Sequence, residues 1–176
     1  MIESGNKMIN FKYCTQCKTE LNLSGNYPKC KSCNITYYKN SKPTAGVLPV
    51  EDGKVLLSKR AIDPYKGVFD IIGGFLENGE HPNDGARREA KEETGLDIEP
   101  KEILGIYIDQ YGEDGDYTLN THFIGEVRGG KMKAEEDVAS LHWVDIKQVP
   151  LNEGFKNTRE ALKDLQIWFK SRTKNK

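Results

Sequence analysis

From Thr44 the chain turns apolar, Ala45-Gly46-Val47-Leu48-Pro49-Val50, breaks at Glu51-Asp52-Gly53 and resumes as Val55-Leu56-Leu57-Ser58-Lys59-Arg60. Two apolar runs joined through Asp-Gly predict a β-hairpin. Val68 to Ile72 predicts a short buried strand running into Gly73. Ile103–Gln110, Tyr117–Val127 and Leu141–Val144 predict three more strands. Two segments keep a helical period instead. The first starts at Asn83 or Asp84, either a suitable N-cap, and stops at Gly95. Its small residues Gly85 and Ala86 predict close approach to the sheet. The second spans Thr158–Lys170 and gathers Leu162, Leu165, Trp168 and Phe169 on one side. Strands alternating with two helices predict an α/β fold, an α/β/α sandwich around a mixed sheet.

The first helix carries the chemistry. Glu89, Glu92 and Glu93 are spaced i, i+3 and i+4, which puts them on one face about 5–6 Å apart. Like charges so placed weaken a helix by about 0.2–0.5 kcal/mol per pair. They form either a solvated acidic face or a seat for a cation, and Mg²⁺ favours a few carboxylates together with substrate phosphates. The surroundings favour the seat. Gly73-Gly74 supplies a tight turn with no side chains in the way, where a backbone carbonyl can face a metal. Glu80 stands just before the helix, and Arg88 can pair with Glu92 at i, i+4.

This stretch resembles the Nudix box without a break, at Gly74, Glu80, Arg88, Glu89, Ala90, Glu92, Glu93, Gly95 and Leu96. At usages of about 5–10% per residue type, seven fixed matches at set spacing arise on the order of 10⁻⁸ per start. The resemblance covers about residues 43–170 and implies the Nudix fold. It further implies hydrolysis of a nucleoside diphosphate linked to another group, releasing a nucleoside monophosphate. Glu89, Glu92 and Glu93 would ligate Mg²⁺ or Mn²⁺ with help from the Gly73 carbonyl, and Arg88 would orient them. Glu80 would be a structural partner or an outer ligand, with Gly74 and Gly95 completing the box. The general base would be Glu89 or an acid of the late loop Glu135-Glu136-Asp137, Glu136 ranking ahead of Glu135. Arg60 reaches phosphate or caps the sheet. Phe69, Phe75 and Tyr65 stack on a base or pack internally.

All four cysteines precede residue 34, as Cys14-Thr-Gln-Cys17 and Cys30-Lys-Ser-Cys33 with twelve residues between the pairs. Four thiolates so spaced suit one tetrahedral, closed and therefore structural Zn²⁺ site. A hairpin around Ser24-Gly25-Asn26 would span the gap. Two disulfides or redox dithiols are the alternatives, and the lack of a secretion signal disfavours the first. Three segments follow: a lead-in at 1–10, a zinc ribbon at 11–42 and the catalytic domain at 43–176. Phe11, Tyr13, Tyr37 and Tyr38 are expected to form the small core of the ribbon or its packing surface. A four-cysteine ribbon before a Nudix domain resembles the NADH pyrophosphatase branch. That branch carries a Ser-Gln-Pro-Trp-type motif where this chain has Ile103 to Tyr111. Diadenosine-polyphosphate hydrolases place a tyrosine near Tyr111.

Composition narrows the partners. With 26 basic and 27 acidic residues the formal net charge is −1, unsuited to coating nucleic acid or membrane through bulk charge. No apolar run approaches the length of a membrane span. A cytoplasmic protein is expected, with a nucleotide-type small molecule as partner, neither membrane nor nucleic acid, and with room for a homodimer. The contrasting reading is a nucleotide sensor or an RNA- or protein-binding module. The full set of acids weighs against a pure sensor, because binding a nucleotide does not require every metal ligand.

Overall fold

The computed structural model describes residues 12–24, 27–112 and 115–173. Expectations for residues 1–11, for the turn at Gly25-Asn26 and for Glu113-Asp114 lie outside the described residues. The chain divides after Asn40 into two compact units.

The second unit is built around β1 (Lys42–Glu51), whose run Ala45–Pro49 is buried throughout because both faces are covered. Beyond it come β2 (Lys54–Arg60), β3 (Phe69–Asp70), β4 (Ile72–Phe75), α1 (Pro82–Thr94), β5 (Leu96–Gln110), β6 (Tyr117–Gly130) and β7 (Val138–Asp145). A 3₁₀ turn (Ile146–Gln148) then leads to α2 (Lys156–Thr173). The strand order is β3-β2-β1-β6-β5, with β4 added to β1 and β7 to β2. Only β1 and β6 run parallel, in a register that pairs Thr44 with Asn120 and Gly46 with His122. On its other side, β1 pairs with β4 through Thr44–Val47 and with β2 through Val50–Glu51. The sheet therefore splits along β1, with Gly73-Gly74 of β4 paired to Gly46 and Ala45 on one branch.

Side chains alternate between two cores. Ala45, Val47, Leu56, Ile72, Ile98 and Phe123 pack with Ala86 and Ala90 of α1. Leu48, Val55, Leu57, Tyr107 and Ile124 pack with Ala161, Leu162 and Leu165 of α2, backed by Trp168 and Phe169. The mixed sheet between two helical layers is the α/β/α architecture read from the pattern.

β6, β7 and α2 each extend two or three residues beyond their expected bounds at one or both ends, and three other differences have a local cause. Helix α1 begins earlier, at Pro82, because the N-cap is His81 rather than Asn83 or Asp84, and its Nδ1 accepts from Asn83 N at 3.2 Å. Proline at the first helical position loses no hydrogen bond there. Strand β5 starts at Leu96 rather than Ile103, since register shifts at Asp97/Ile98, Pro100/Glu102 and Ile103/Gly105 break the alternation that marks a strand. The stretch predicted as one strand over Val68–Ile72 is two short ones, β3 on β2 and β4 on β1. Gly95, at φ 69°, closes α1 as expected. Gly85 makes close approach possible, but to the turn before the helix: a Cβ there would sit 2.3 Å from Leu76 Cδ2.

The first unit is short. Isolated bridges join Tyr13 to Glu20, Asn22 to Lys29 and Lys29 to Thr36. Its buried cluster is Cys14, Leu21 and Cys30, flanked by Cys33 and Tyr37. Tyr13 and Tyr38 are exposed, so of the tyrosines expected in the ribbon core Tyr37 alone packs on this cluster. Among the described residues no helix is long and apolar enough to cross a membrane.

Candidate active site

Gly73 and Gly74 form the middle of β4, where a side chain would not fit. At Gly73, φ 149°, a Cβ would meet the Ala45 carbonyl at 2.3 Å. At Gly74 it would land 2.6 Å from the Glu89 carboxylate. The missing side chains bring α1 acids directly onto β4. Gly73 N donates to Glu93 Oε2 at 3.0 Å, so the contact between Gly73 and the acids runs through its N–H.

Arg88 organises the other carboxylates. Nε and Nη2 grip Glu80 at 2.8 and 2.9 Å, Nη1 donates to Glu89 and Glu92 at 2.8 Å each, and Nη2 also reaches the Phe75 carbonyl at 3.1 Å. All five guanidinium hydrogens are thereby engaged. Both Glu80 oxygens are occupied by Arg88 and by Glu77 N, and these hydrogen bonds hold Glu80 down at about pKa 2. Glu80 is thus a brace for Arg88 and the turn. Replacing Arg88 with Ala strands Glu80, Glu89 and Glu92, and we expect a loss of about 2–3 kcal/mol in unfolding free energy, read by urea titration at pH 7.

The three box glutamates do not converge on one point. Glu92 turns out to Arg88, Glu89 sits beneath Gly74, and Glu93 reaches Gly73. Glu89 and Glu93 line one cavity with Asp70, Glu136 and Asp137. Burial pushes Glu93 up to about 8, assisted by the charges of Glu89, Asp70 and Asp137 and opposed by the Gly73 N–H. Burial also raises Glu89, with Glu92 and Glu136 adding to it against the pull of Arg88. A set of carboxylates that cannot all ionise side by side is one that a divalent cation would relieve. The carboxylate oxygens lining the cavity are the donor type that a hard divalent cation takes.

The late loop supplies the last acids. It is pinned to the end of α1 by Lys133 N on the Thr94 carbonyl and Glu135 N on the Glu93 carbonyl, at 2.9 and 3.0 Å. The Glu135 side chain pairs with Lys133 at 2.6 Å, whereas Glu136, in the left-handed region at φ 50°, lines the acid cavity.

Beside the acids lies a cleft of about 520 Å³, its open mouth included, lined by Phe75, Tyr111 and Phe155 and floored by Thr44, Thr118, Asn120, His122 and Asn157. The Tyr111 and Phe155 rings stack at 5.5 Å, and Phe75 stands 6.0 Å from Tyr111. Arg60 borders both the cleft and the acid cavity, as do Asp70, Gly73 and Gly74. Its guanidinium donates to Pro64 O at 2.6 Å, Asp70 at 3.1 Å and Tyr111 Oη at 3.3 Å, and lies over the Phe155 ring. Arg60 therefore braces the loop after β2 while facing the site. Phe69 lies elsewhere. It packs with the α2-side core, edge-on to His142 and under Lys59, because neighbours in β3 point to opposite sides and Asp70 takes the one that lines the cleft and the acid cavity. Tyr65 touches the cleft through Phe155, edge to face at 4.9 Å.

Sequence reasoning missed Asp70, Asn120, His122, Phe155 and Asn157. Alternation in β6, with Thr118, Asn120 and His122 on one face and Leu119 and Phe123 on the other, was the available signal.

In the first unit the four Sγ atoms of Cys14, Cys17, Cys30 and Cys33 lie within 4.8 Å of one another. The residue after each Cys-x-x-Cys, Lys18 and Asn34, is left-handed at φ 63° and 59°, which turns the chain back over its thiols. The four cysteines are free and could together hold one metal ion.

The NUDIX domain family matches residues 40–165, and the chain belongs to that family. An ADP-ribose pyrophosphatase of Methanocaldococcus jannaschii is 38% identical over 100 residues, 57% of this chain and 59% of that protein. A NAD-capped RNA hydrolase, NudC, of Vibrio atlanticus is 26% identical over 152 residues, 85% of this chain and 55% of that protein. The chain thus spans little more than half the length of these curated relatives. A crystal structure of a NUDIX hydrolase from Nitrosomonas europaea superposes with a TM-score of 0.78 at 26% identity, covering 93% of each chain.

Proposed function

We propose that the chain is a Mg²⁺-dependent Nudix pyrophosphohydrolase that cleaves a nucleoside diphosphate linked to a second moiety and releases a nucleoside monophosphate. The observation that carries this reading is continuity: one wall of Arg60, Asp70, Gly73, Gly74, Phe75 and Tyr111 borders both the aromatic cleft and the acid cavity. A base held against Phe75 and Tyr111 leads its diphosphate past Arg60 to Glu89 and Glu93.

Glu89, Glu92 and Glu93, with Gly73, would hold Mg²⁺ or Mn²⁺. When bound, the cation supplies neutralisation of the diphosphate charge and eases ionisation of the attacking water. Arg88 anchors Glu89 and holds Glu92 at the rim of the site, and Glu80 keeps Arg88 in place. Glu136 takes the proton of the attacking water, since Glu135 is turned to Lys133 and Glu89 is engaged by Arg88. Water adds to one phosphorus, the bridging P–O bond breaks, and two phosphomonoesters result. Much of the rate comes from holding the water and diphosphate in line.

The names of the relatives point to ADP-ribose and to NAD-like dinucleotides, which share an adenosine diphosphate joined to ribose. The test is product release in Mg²⁺ from ADP-ribose, NADH, diadenosine polyphosphates, deoxynucleoside triphosphates and NAD-capped RNA. AMP is expected from ADP-ribose or NADH. No turnover on any of the five overturns the reading.

Cys14, Cys17, Cys30 and Cys33 would hold Zn²⁺. With no position left for water, that site serves the fold of the first unit. The reducing cytoplasm, our proposed location, keeps such thiols available.

A further inference from the structure

The floor of the aromatic cleft is more polar than a packing surface requires. Seven polar residues are buried among the described ones, and four of them, Thr118, Asn120, His122 and Asn157, line this cleft. Buried polar groups are costly unless partnered, so their concentration beside an open cleft signals recognition.

The hydrogen bonds fix the state of each group. Asp109 Oδ2 accepts from Asn157 N at 2.8 Å and from Asn157 Nδ2 at 3.0 Å. The amide nitrogen of Asn157 is thereby turned to Asp109, and its Oδ1 faces His122 Nε2 at 3.0 Å. An oxygen acceptor there requires the proton on Nε2. His122 Nδ1 is then a bare acceptor. Burial holds the imidazole down at about pKa 4, against the Asn157 hydrogen bond, so the ring stays neutral at physiological pH.

Asn120 and the two threonines have their hydrogens committed, Thr118 Oγ1 donating to Asp109 O at 3.4 Å. Asn120 Nδ2 gives its hydrogens to Tyr107 O and Thr118 Oγ1, and Thr44 Oγ1 donates to Asn120 Oδ1. Among the described residues, His122 Nδ1 is the buried side-chain nitrogen or oxygen left without a partner. Gly46, beside it in β1, also lines the cleft, and a Cβ there would press on Nδ1 at 2.8 Å. No side chain fits at residue 46, where the same Cβ would also press on Ile71 Cγ2 and Ile72 O at 3.0 Å each, so the acceptor at the edge of the cleft is left uncapped by β1.

We propose that His122 Nδ1 is the specificity element of this cleft, accepting a hydrogen bond from an amino group on the aromatic ring that the cleft takes up. The ligand class is a ring bearing NH₂, whether the exocyclic amine of adenine or the carboxamide of nicotinamide. A keto or carboxylate group at that edge would set acceptor against acceptor. The inference rests on the site being a nucleotide site, but not on its catalysing hydrolysis.

The test is binding of mononucleotides to the full chain by calorimetry, in two matched pairs: AMP against IMP, and nicotinamide mononucleotide against its nicotinate analogue. In at least one pair the amino form binds about tenfold or more tightly, and the discriminating pair names the ring. In His122→Phe that ratio falls to within about twofold while far-UV circular dichroism is retained. Equal affinity within both pairs, or no binding of any of the four, overturns the proposal, as does full discrimination in a folded variant. If the variant does not fold, the paired affinities of the unaltered chain decide. Discrimination in a chain that hydrolyses nothing would sink the hydrolase reading and leave this one standing.

Discussion

Glu93→Gln is expected to lower turnover about a hundredfold or more in saturating Mg²⁺ while leaving the metal-free chain at least as resistant to heat as before. The amide oxygen can still accept from Gly73 N, so the joint between β4 and α1 survives. What is lost is a charge that the site tolerates poorly, with Glu89, Asp70 and Asp137 all repelling it. A structural role for Glu93 would show the opposite pattern, with melting lowered and turnover kept. Wild-type turnover in the variant would remove Glu93 from the metal set. The same residue gives the pH dependence. In the metal-free site burial keeps Glu93 protonated up to about pH 8, so a cation must displace that proton. The apparent Mg²⁺ affinity should therefore rise as pH goes from 6 to 8 and level off above, by about tenfold per unit for one displaced proton. Activation titrations across that range measure it, and the slope should disappear in Glu93→Gln.

The acid end of the candidate site was legible in the sequence as a cluster because its parts are local. Gly73 to Leu96 is one turn and one helix, and fixed spacing there means fixed geometry. Even so, spacing did not show that Arg88 would draw Glu92 away from Glu93, or that Glu80 would be fully occupied by Arg88. Those outcomes depend on competition between partners. The aromatic cleft was poorly legible because it is assembled from afar. Phe75 comes from β4, Tyr111 follows β5, and Phe155 precedes α2. Nothing in their sequence separation announces a stack. Phe69 had the better local claim, lying near the box, but the pleat of a two-residue strand decided between it and Asp70.

The fold followed the same division. Strands β1 and β2 were readable because burial on both faces makes them continuously apolar. The first half of β5 was not, since its bulges break the alternation a reader looks for. His81 escaped notice as a cap because its imidazole does there what a shorter oxygen-bearing side chain usually does.

Withdrawal of the metal ion proposed for the four cysteines is expected to unfold the first unit completely. Its buried apolar cluster consists of Cys14, Leu21 and Cys30, and two of those three are themselves proposed ligands. Isolated bridges and a segment below about 40 residues cannot hold without a metal or another cross-link. In the metal-free unit the thiols share their protons unevenly. The Tyr37 hydroxyl holds Cys14 down at about 6, Thr19 lowers Cys17, and Cys33 is pushed up to about 12 chiefly by the Cys17 sulfur it faces. A divalent cation replaces those protons, so binding tightens as pH rises. Elemental analysis of the full chain should find one zinc per molecule. A strong chelator under reducing conditions should then collapse the amide dispersion of residues 12–40 in a two-dimensional NMR spectrum, while the sheet of the second unit keeps its own. Cys30→Ser, which removes a fully buried sulfur, should do the same without chelator. Retained dispersion in the zinc-free first unit would show that its fold rests on something other than a metal.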